Sequence, residues 1–161
     1  MSAPNQPFRA NSAGFLSNHL ARLFTQALAQ ALQPLGLAVA QFMVLLELWS
    51  EDGLTQRDLL LRLDVEQGTL TNTLNRMERD RLIYRRPHSR DGRAQTIHAT
   101  AHALGLRTAS IDAAESVNRA ARAALTLKEY EMMIDLMTRV VATVRSQRKA
   151  ASTLSGHSVV T

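Results

Sequence analysis

The sequence predicts a mainly α-helical fold with one small β-hairpin, and three observations predict it. Apolar residues recur three and four apart in separate stretches from Phe15 to Val144. One segment breaks that rhythm: around residues 83–99 two short strand-like pieces flank Asp91-Gly92, a strong short turn signal. The chain has 161 residues, 45% of them hydrophobic, enough for a buried core in one domain or in two small intergrown lobes.

The elements follow in order. Residues 1–11 contain Pro4 and Pro7 and read as a loose arm. Ser12 is suited to cap a first helix whose apolar stripe includes Phe15, Leu16, Leu20, Leu23, Phe24, Leu28 and Leu32; Pro34 and Gly36 close it. A second helix, about Ala38 to Ser50, carries Phe42, Leu45, Leu46 and Trp49, and Glu51-Asp52-Gly53 turns the chain. Thr55 with Asp58 forms a shortened capping box, opening a short helix with Leu59, Leu60 and Leu63 that ends at Asp64. The next helix runs from Glu66 to about Arg81, with Leu70, Leu74 and Met77 on one face. Strands are expected near Ile83–Arg86 and Gln95–Ala99. One helix then spans about Ala101 to Ala124, and a capping box at Thr126 and Glu129 opens the last, striped by Met133, Ile134, Met137, Val140, Val141 and Val144. From Ala150 the tail is polar and expected to fray.

Composition narrows the chemistry. Without cysteine there is no disulfide, no thiolate zinc site and no cysteine redox sensor. The N-terminus has no apolar run of signal-peptide length, and no stretch is apolar for long enough to span a bilayer, so the expectation is a cytoplasmic protein without a membrane partner. A formal charge of +5 favours phosphate or other anionic partners, and where the charge sits matters more than its size.

It sits around the hairpin. Two short helices joined by a tight turn form a helix-turn-helix unit, whose second helix can enter the major groove of duplex DNA. The outer face of the 66–81 helix offers Gln67, Thr69, Thr71, Asn72, Asn75 and Arg76, which are short, polar and mostly neutral, whereas an ordinary solvated helix would carry more Glu and Lys. On or beside the hairpin lie Arg85, Arg86, Arg90 and Arg93, with His88 nearby; arginines on a thin ribbon can enter a narrow minor groove or clamp its phosphates. Asp91 is expected to hold Arg93 or to cap the turn, so that one arginine is aimed. The hairpin therefore reads as a DNA-binding wing, and the fold as a winged helix-turn-helix with a helical dimerisation lobe.

Asp91-Gly92-Arg93 after a recognition-type helix and before a short strand resembles the MarR family of winged helix-turn-helix regulators. So do Leu54-Thr55 with Asp58-Leu59, Gly68-Thr69-Leu70-Thr71, and Leu82-Ile83-Tyr84-Arg85; the resemblance covers about residues 15–147. Family members usually have Gly at the places of Arg81 and Ala103. Arg81 must therefore take a left-handed conformation, or the helix must end differently. Neither departure touches a base-reading position. The resemblance implies that residues 12–36 and 101–149 form dimerisation helices, that 37–100 form the DNA-binding lobe, and that 150–161 are a flexible tail. Phe15, Leu23, Ile134, Met137 and Val141 agree, since a small winged lobe needs fewer apolar residues. A symmetric dimer matches a pseudo-palindromic operator. The resemblance also implies a small aromatic or phenolic anion bound between the lobes. Phe15, His19, Arg22, Phe42 and Trp49, which mix apolar walls with cationic or polar groups, are the candidate lining, and the expectation is a repressor released by an aromatic or acyl carboxylate, free or as a thioester.

Two other classes compete. An enzyme would need a phosphate-binding Gly loop, a G-x-S-x-G elbow or an H-E-x-x-H pair, and the sequence has none, so no catalytic residue or cofactor is assigned. His98 and His102 are four apart but straddle a strand end and a helix start with no carboxylate cluster, which argues against a metal. A dimeric helical module without DNA affinity would have no use for the arginine-rich hairpin.

Overall fold

A computed structural model describes residues 11–87 and 94–155. Helix α1 (Ala13–Leu32) starts where the Ser12 hydroxyl accepts a hydrogen bond from the Phe15 amide at 3.2 Å. A 3-10 turn, Gln33–Leu35, ends on Gly36 at φ 68, and α2 (Val39–Ser50) follows. Then come β1 (Leu54–Thr55), α3 (Gln56–Leu63), α4 (Gln67–Arg79), β2 (Ile83–Pro87), β3 (Gln95–Ala99), α5 (Ala101–Gly105), α6 (Arg107–Arg122) and α7 (Leu127–Ser155). The three strands form one antiparallel sheet in the order β1-β3-β2, with Leu54 opposite Ile97 and Ile83 opposite Ala99.

The capping boxes form as the sequence implies. The Asp58 carboxylate accepts from the Thr55 amide at 2.9 Å and from its hydroxyl at 2.6 Å, while the Asp58 amide donates back to the Thr55 hydroxyl at 3.2 Å. Thr126 and Glu129 repeat the pattern at the start of α7. In each case helix-start donors that have no partner inside the helix are satisfied.

The chain divides into two units, one up to Val117 and one from Asn118. The first holds the sheet and a single buried core. Phe42, Leu45, Leu48 and Trp49 from α2, Leu59 from α3, Leu70, Leu74 and Met77 from α4, and Ile83 and Ile97 from the sheet all belong to it. In the second, the Arg122 guanidinium lies 5.2 Å from the Tyr130 ring centre, and among the described residues none is fully buried.

The structure differs from the sequence expectations in four local respects. Leu54-Thr55, expected to open a helix, first pairs with β3 as a third strand. The helix expected over 101–124 is interrupted at Leu106, whose amide is shared between the His102 and Ala103 carbonyls, next to Gly105, a weak helix former. Helix α4 stops at Arg79, not Arg81. Helix α7 continues past Ala150 to Ser155. The expected turn at Asp91-Gly92 lies outside the described residues, as do residues 1–10 of the expected arm and the end of the tail. Among the described residues, no single helix is long and apolar enough to cross a membrane.

Candidate nucleic-acid interface

Helix α4 is tied to α3 and to α2, and Gln67, Thr69, Asn72, Asn75 and Arg76 stay exposed. Asp64, left-handed at φ 52, ends α3 and lets Glu66 begin α4. The Gln56 amide on α3 donates to the Thr71 hydroxyl at 2.7 Å. Arg62, at the end of α3, pairs with Glu51 and with Glu47 at 3.6 Å, fastening that end to α2. From the start of α2, Gln41, itself buried, donates to the Asp80 carboxylate at 3.0 Å at the far end of α4.

That far end carries the backbone feature on which the orientation of the hairpin depends. The Leu82 amide donates to the Met77 carbonyl at 2.8 Å and the Arg81 amide to the Glu78 carbonyl at 3.1 Å, while Arg81 sits at φ 57. This is a Schellman ending, in which a left-handed residue turns the chain sharply off the helix. The same pair of bonds closes the 3-10 turn, with Gly36 in the equivalent place. Arg81 thus adopts the left-handed conformation for which glycine is ordinarily used, at a steric cost of roughly 1–2 kcal/mol.

Leu70, Leu74 and Met77 face the core, and the opposite face presents Gln67, Thr69, Asn72, Asn75 and Arg76, all exposed. Thr71 is half-buried; its hydroxyl donates to the Gln67 carbonyl at 2.8 Å while accepting from Gln56, so its polar group is engaged within the fold. Asn75 accepts from the Arg85 guanidinium at 2.9 Å through its carbonyl oxygen, which leaves its amide NH2 as the group to offer outward. Arg85 also pairs with Glu78 at 3.1 Å. Neighbouring strand residues point to opposite faces, so Arg85 is turned toward α4 while Arg86 is exposed, its guanidinium carbon 5.1 Å from the centre of the Tyr84 ring. Arg90, Asp91 and Arg93, and His88 beside them, lie outside the described residues.

Gln56 was not singled out from the sequence, and Arg85 was read there as one of the hairpin arginines; the structure ties both to α4. Strand alternation would have separated Arg85 from Arg86; nothing local marks Gln56, whose partner is fifteen residues away. Hydrogen bonds from the Thr55 hydroxyl and amide hold the Asp58 carboxyl below the usual carboxylate range, so the helix-turn-helix start is charged and capped near neutral pH.

The candidate effector residues fall into two groups. Phe15, His19 and Arg22 lie on the exposed face of α1: the Phe15 and His19 rings are parallel within 9° at 6.4 Å, and Arg22 Nη2 is 3.2 Å from His19 Nδ1. Phe42 and Trp49 meet edge to face at 6.1 Å inside the core. The Trp49 indole N–H is buried with no acceptor among the described residues. A separate apolar hollow of about 110 Å³ lies behind α4, lined by Met43, Val44, Leu63, Val65, Thr69 and Thr73. Among the described residues, no three histidine or carboxylate side chains converge as a metal site would require.

Comparison with known proteins gives these features relatives. A model of the MarR family matches residues 35–94. The chain is 31% identical over 102 residues to the organic hydroperoxide resistance transcriptional regulator of Bacillus subtilis strain 168, which spans 63% of this chain and 69% of that protein. The S. aureus MepR–DNA complex is similar with a TM-score of 0.76 at 25% identity, covering 83% of this chain and 98% of that one. Reduced AbfR bound to DNA is similar with a TM-score of 0.72 at 26% identity, covering 86% and 93%.

Proposed function

The chain belongs to the MarR family of transcriptional regulators, and from that premise we propose that it is a cytoplasmic, ligand-responsive repressor that binds a pseudo-palindromic operator as a homodimer. The observation that carries the DNA reading is the bracing of two surfaces as one. The polar face of α4 and the basic strand β2 are joined by Arg85, which holds Asn75 and Glu78 from β2. Helix α4 fills the major groove, where Gln67, Asn72, Asn75 and Arg76 reach base edges or phosphates and Thr69 and Thr71 contribute methyl and backbone contacts. Arg86 takes the flanking phosphates or minor groove, and the sequence beyond it carries Arg90 and Arg93. Two similar proteins of known structure are bound to DNA, which supports this use of the surface.

The dimer reading rests on apolar residues left in solvent. Phe15, Leu16 and Leu23 on α1 and Ile134, Met137, Val140, Val141 and Val144 on α7 are all exposed. A second copy is the partner a symmetric operator calls for. Selection from a random pool of DNA duplexes tests both claims. The expected result is an inverted repeat with half-sites about one helical turn apart, retained with steep salt dependence. A pool that stays random through selection would overturn the DNA reading, and single half-sites would overturn the dimer.

The effector is an aromatic or acyl carboxylate, or its thioester. Arg22 supplies a cation on the exposed face of α1, its guanidinium donating to His19 Nδ1, and the Trp49 indole N–H, which has no acceptor among the described residues, would gain a hydrogen bond from a ligand oxygen. To release DNA, such a ligand must prefer the form that does not fit the operator. Trp49 fluorescence titrated across a panel of such acids, paired with operator release, tests it; a panel with no member that does both removes the effector. The Bacillus relative's name refers to organic hydroperoxides, but the 161 residues here hold no cysteine thiol to oxidise.

A further inference from the structure

Four side chains from two strands share one face of the sheet at the root of the hairpin. Tyr84 lies opposite His98 and Arg86 opposite Thr96 in the β2–β3 register. The His98 and Tyr84 rings stack at 5.2 Å and 17°, and Arg86 lies at 5.1 Å from the same Tyr84 ring. A fifth group arrives from the turn after α2. Asp52 Oδ2 is 2.7 Å from His98 Nδ1, and its other oxygen accepts from the Ala99 amide at 2.9 Å. The fit is close: Gly53, at φ 79, could not carry a side chain without its Cβ coming within 3.1 Å of His98 Cε1.

Proton counting makes the arrangement directional. His98 Nε2 is 2.9 Å from the Thr96 hydroxyl oxygen, which is itself 3.3 Å from the Arg86 carbonyl oxygen. The threonine hydroxyl has one proton to give. With His98 neutral, Nδ1–H donates to Asp52, and bare Nε2 takes the Thr96 proton. With His98 protonated, Nε2–H donates to the threonine oxygen, and the Thr96 proton turns to the Arg86 carbonyl. Proton uptake therefore reverses one hydrogen bond, adds a cross-strand bond at the Arg86–Thr96 pair, and sets a full positive charge against Asp52. The groups facing this imidazole are Asp52 from the turn, Tyr84 and Arg86 from β2, and Thr96 on its own strand. On the β1 side, Thr55 lies opposite Thr96 and is engaged by Asp58. The like charge of Arg86 lies against the Tyr84 ring, whose π face attracts cations.

We propose that His98 is a proton-operated positioning residue of the wing: when it binds a proton it fixes β2 at Arg86, and duplex affinity rises as the pH falls through its titration. This rests on the reading of Arg86 as a DNA contact. Histidine is the side chain whose charge changes across the physiological range.

Fluorescence polarisation of a labelled mixed-sequence duplex, at fixed ionic strength from about pH 8 to about pH 6, reads the effect. Wild-type affinity is expected to rise about three- to tenfold as the pH falls, the range one added hydrogen bond and ion pair supply. His98→Gln keeps a donor toward Asp52 but cannot titrate, and most of the rise disappears. Thr96→Val keeps the His98–Asp52 pair and also loses most of it, because the route to Arg86 is cut. His102→Gln, an exposed histidine outside the network, leaves the rise in place. In the free protein, the Arg86 carbonyl 13C shift follows the His98 titration in wild type and stays flat in Thr96→Val. Retention of the full pH response in His98→Gln or Thr96→Val overturns the proposal. If no duplex binds at any pH, the DNA reading falls, and the Arg86 carbonyl shift alone decides whether His98 controls this contact.

Discussion

Helices α4 and α7 carry the same kind of apolar spacing and meet opposite fates. On α4, Leu70, Leu74 and Met77 are at most 1% exposed. On α7, Met137, Val140 and Val144 are 47%, 59% and 57% exposed. Periodicity marks which face of a helix is apolar; it does not say what will cover it. The stripe on α4 is covered by its own chain, and that leaves its polar face exposed. The stripe on α7 is left uncovered by the described residues of its own chain, and full burial of each large side chain there would gain roughly 1.5–3 kcal/mol. A surface of that kind is what the proposed second copy would cover.

The largest expected effect strikes the uncovered side of this comparison. Met137→Asp or Val141→Asp places a charge where a second copy is expected to pack, and light scattering should show monomers that no longer retain an inverted repeat. A normal dimer would take these positions out of the interface. On the covered side, Leu74→Ala should lower unfolding stability by about 2–5 kcal/mol, read from urea midpoints, because the residue is wholly buried. A loss under about 1 kcal/mol would mean that α4 is not seated as described. Arg86→Ala should leave the fold intact and weaken duplex binding by about 1–3 kcal/mol with a shallower salt slope. Arg81→Gly should stabilise the chain by about 0.5–1 kcal/mol, since glycine accepts the left-handed turn but loses more freedom on folding. The smallest effect is at acid pH. Hydrogen bonds from Thr55 lower the folded-state pKa of Asp58, so its contribution is complete above the ordinary carboxylate range and is lost as the pH falls through the depressed value. Asp58→Asn should remove that part of the acid sensitivity in thermal melts.

Much of this was legible because it is local. The caps at Ser12, Thr55 and Thr126, the stripes of α1 to α4 and of α7, and the strands flanking residues 88–94 each depend on residues a few positions apart. The unusual ending at Arg81 was also legible, as one of two forms forced by a missing glycine. What escaped is pairing across distance. A two-residue strand such as β1 has no periodicity to display, and it exists because Ile97 is there to pair with Leu54. The same holds for Arg85 with Asn75 and for Asp52 with His98, forty-six residues apart. The sequence showed a histidine without a nearby carboxylate; the fold supplied one. The break at Leu106 escaped for another reason, since a single Gly105 is often tolerated inside a helix.

The link from Arg85 to Asn75 and Glu78 has a consequence for timing. Strand β2 and helix α4 are already aligned before any nucleic acid arrives, so the entropy of aligning them is incurred during folding and not at the moment of encounter. An encounter with a duplex then needs only to orient one prepared body, which favours fast association and places discrimination between sequences in the lifetime of the complex.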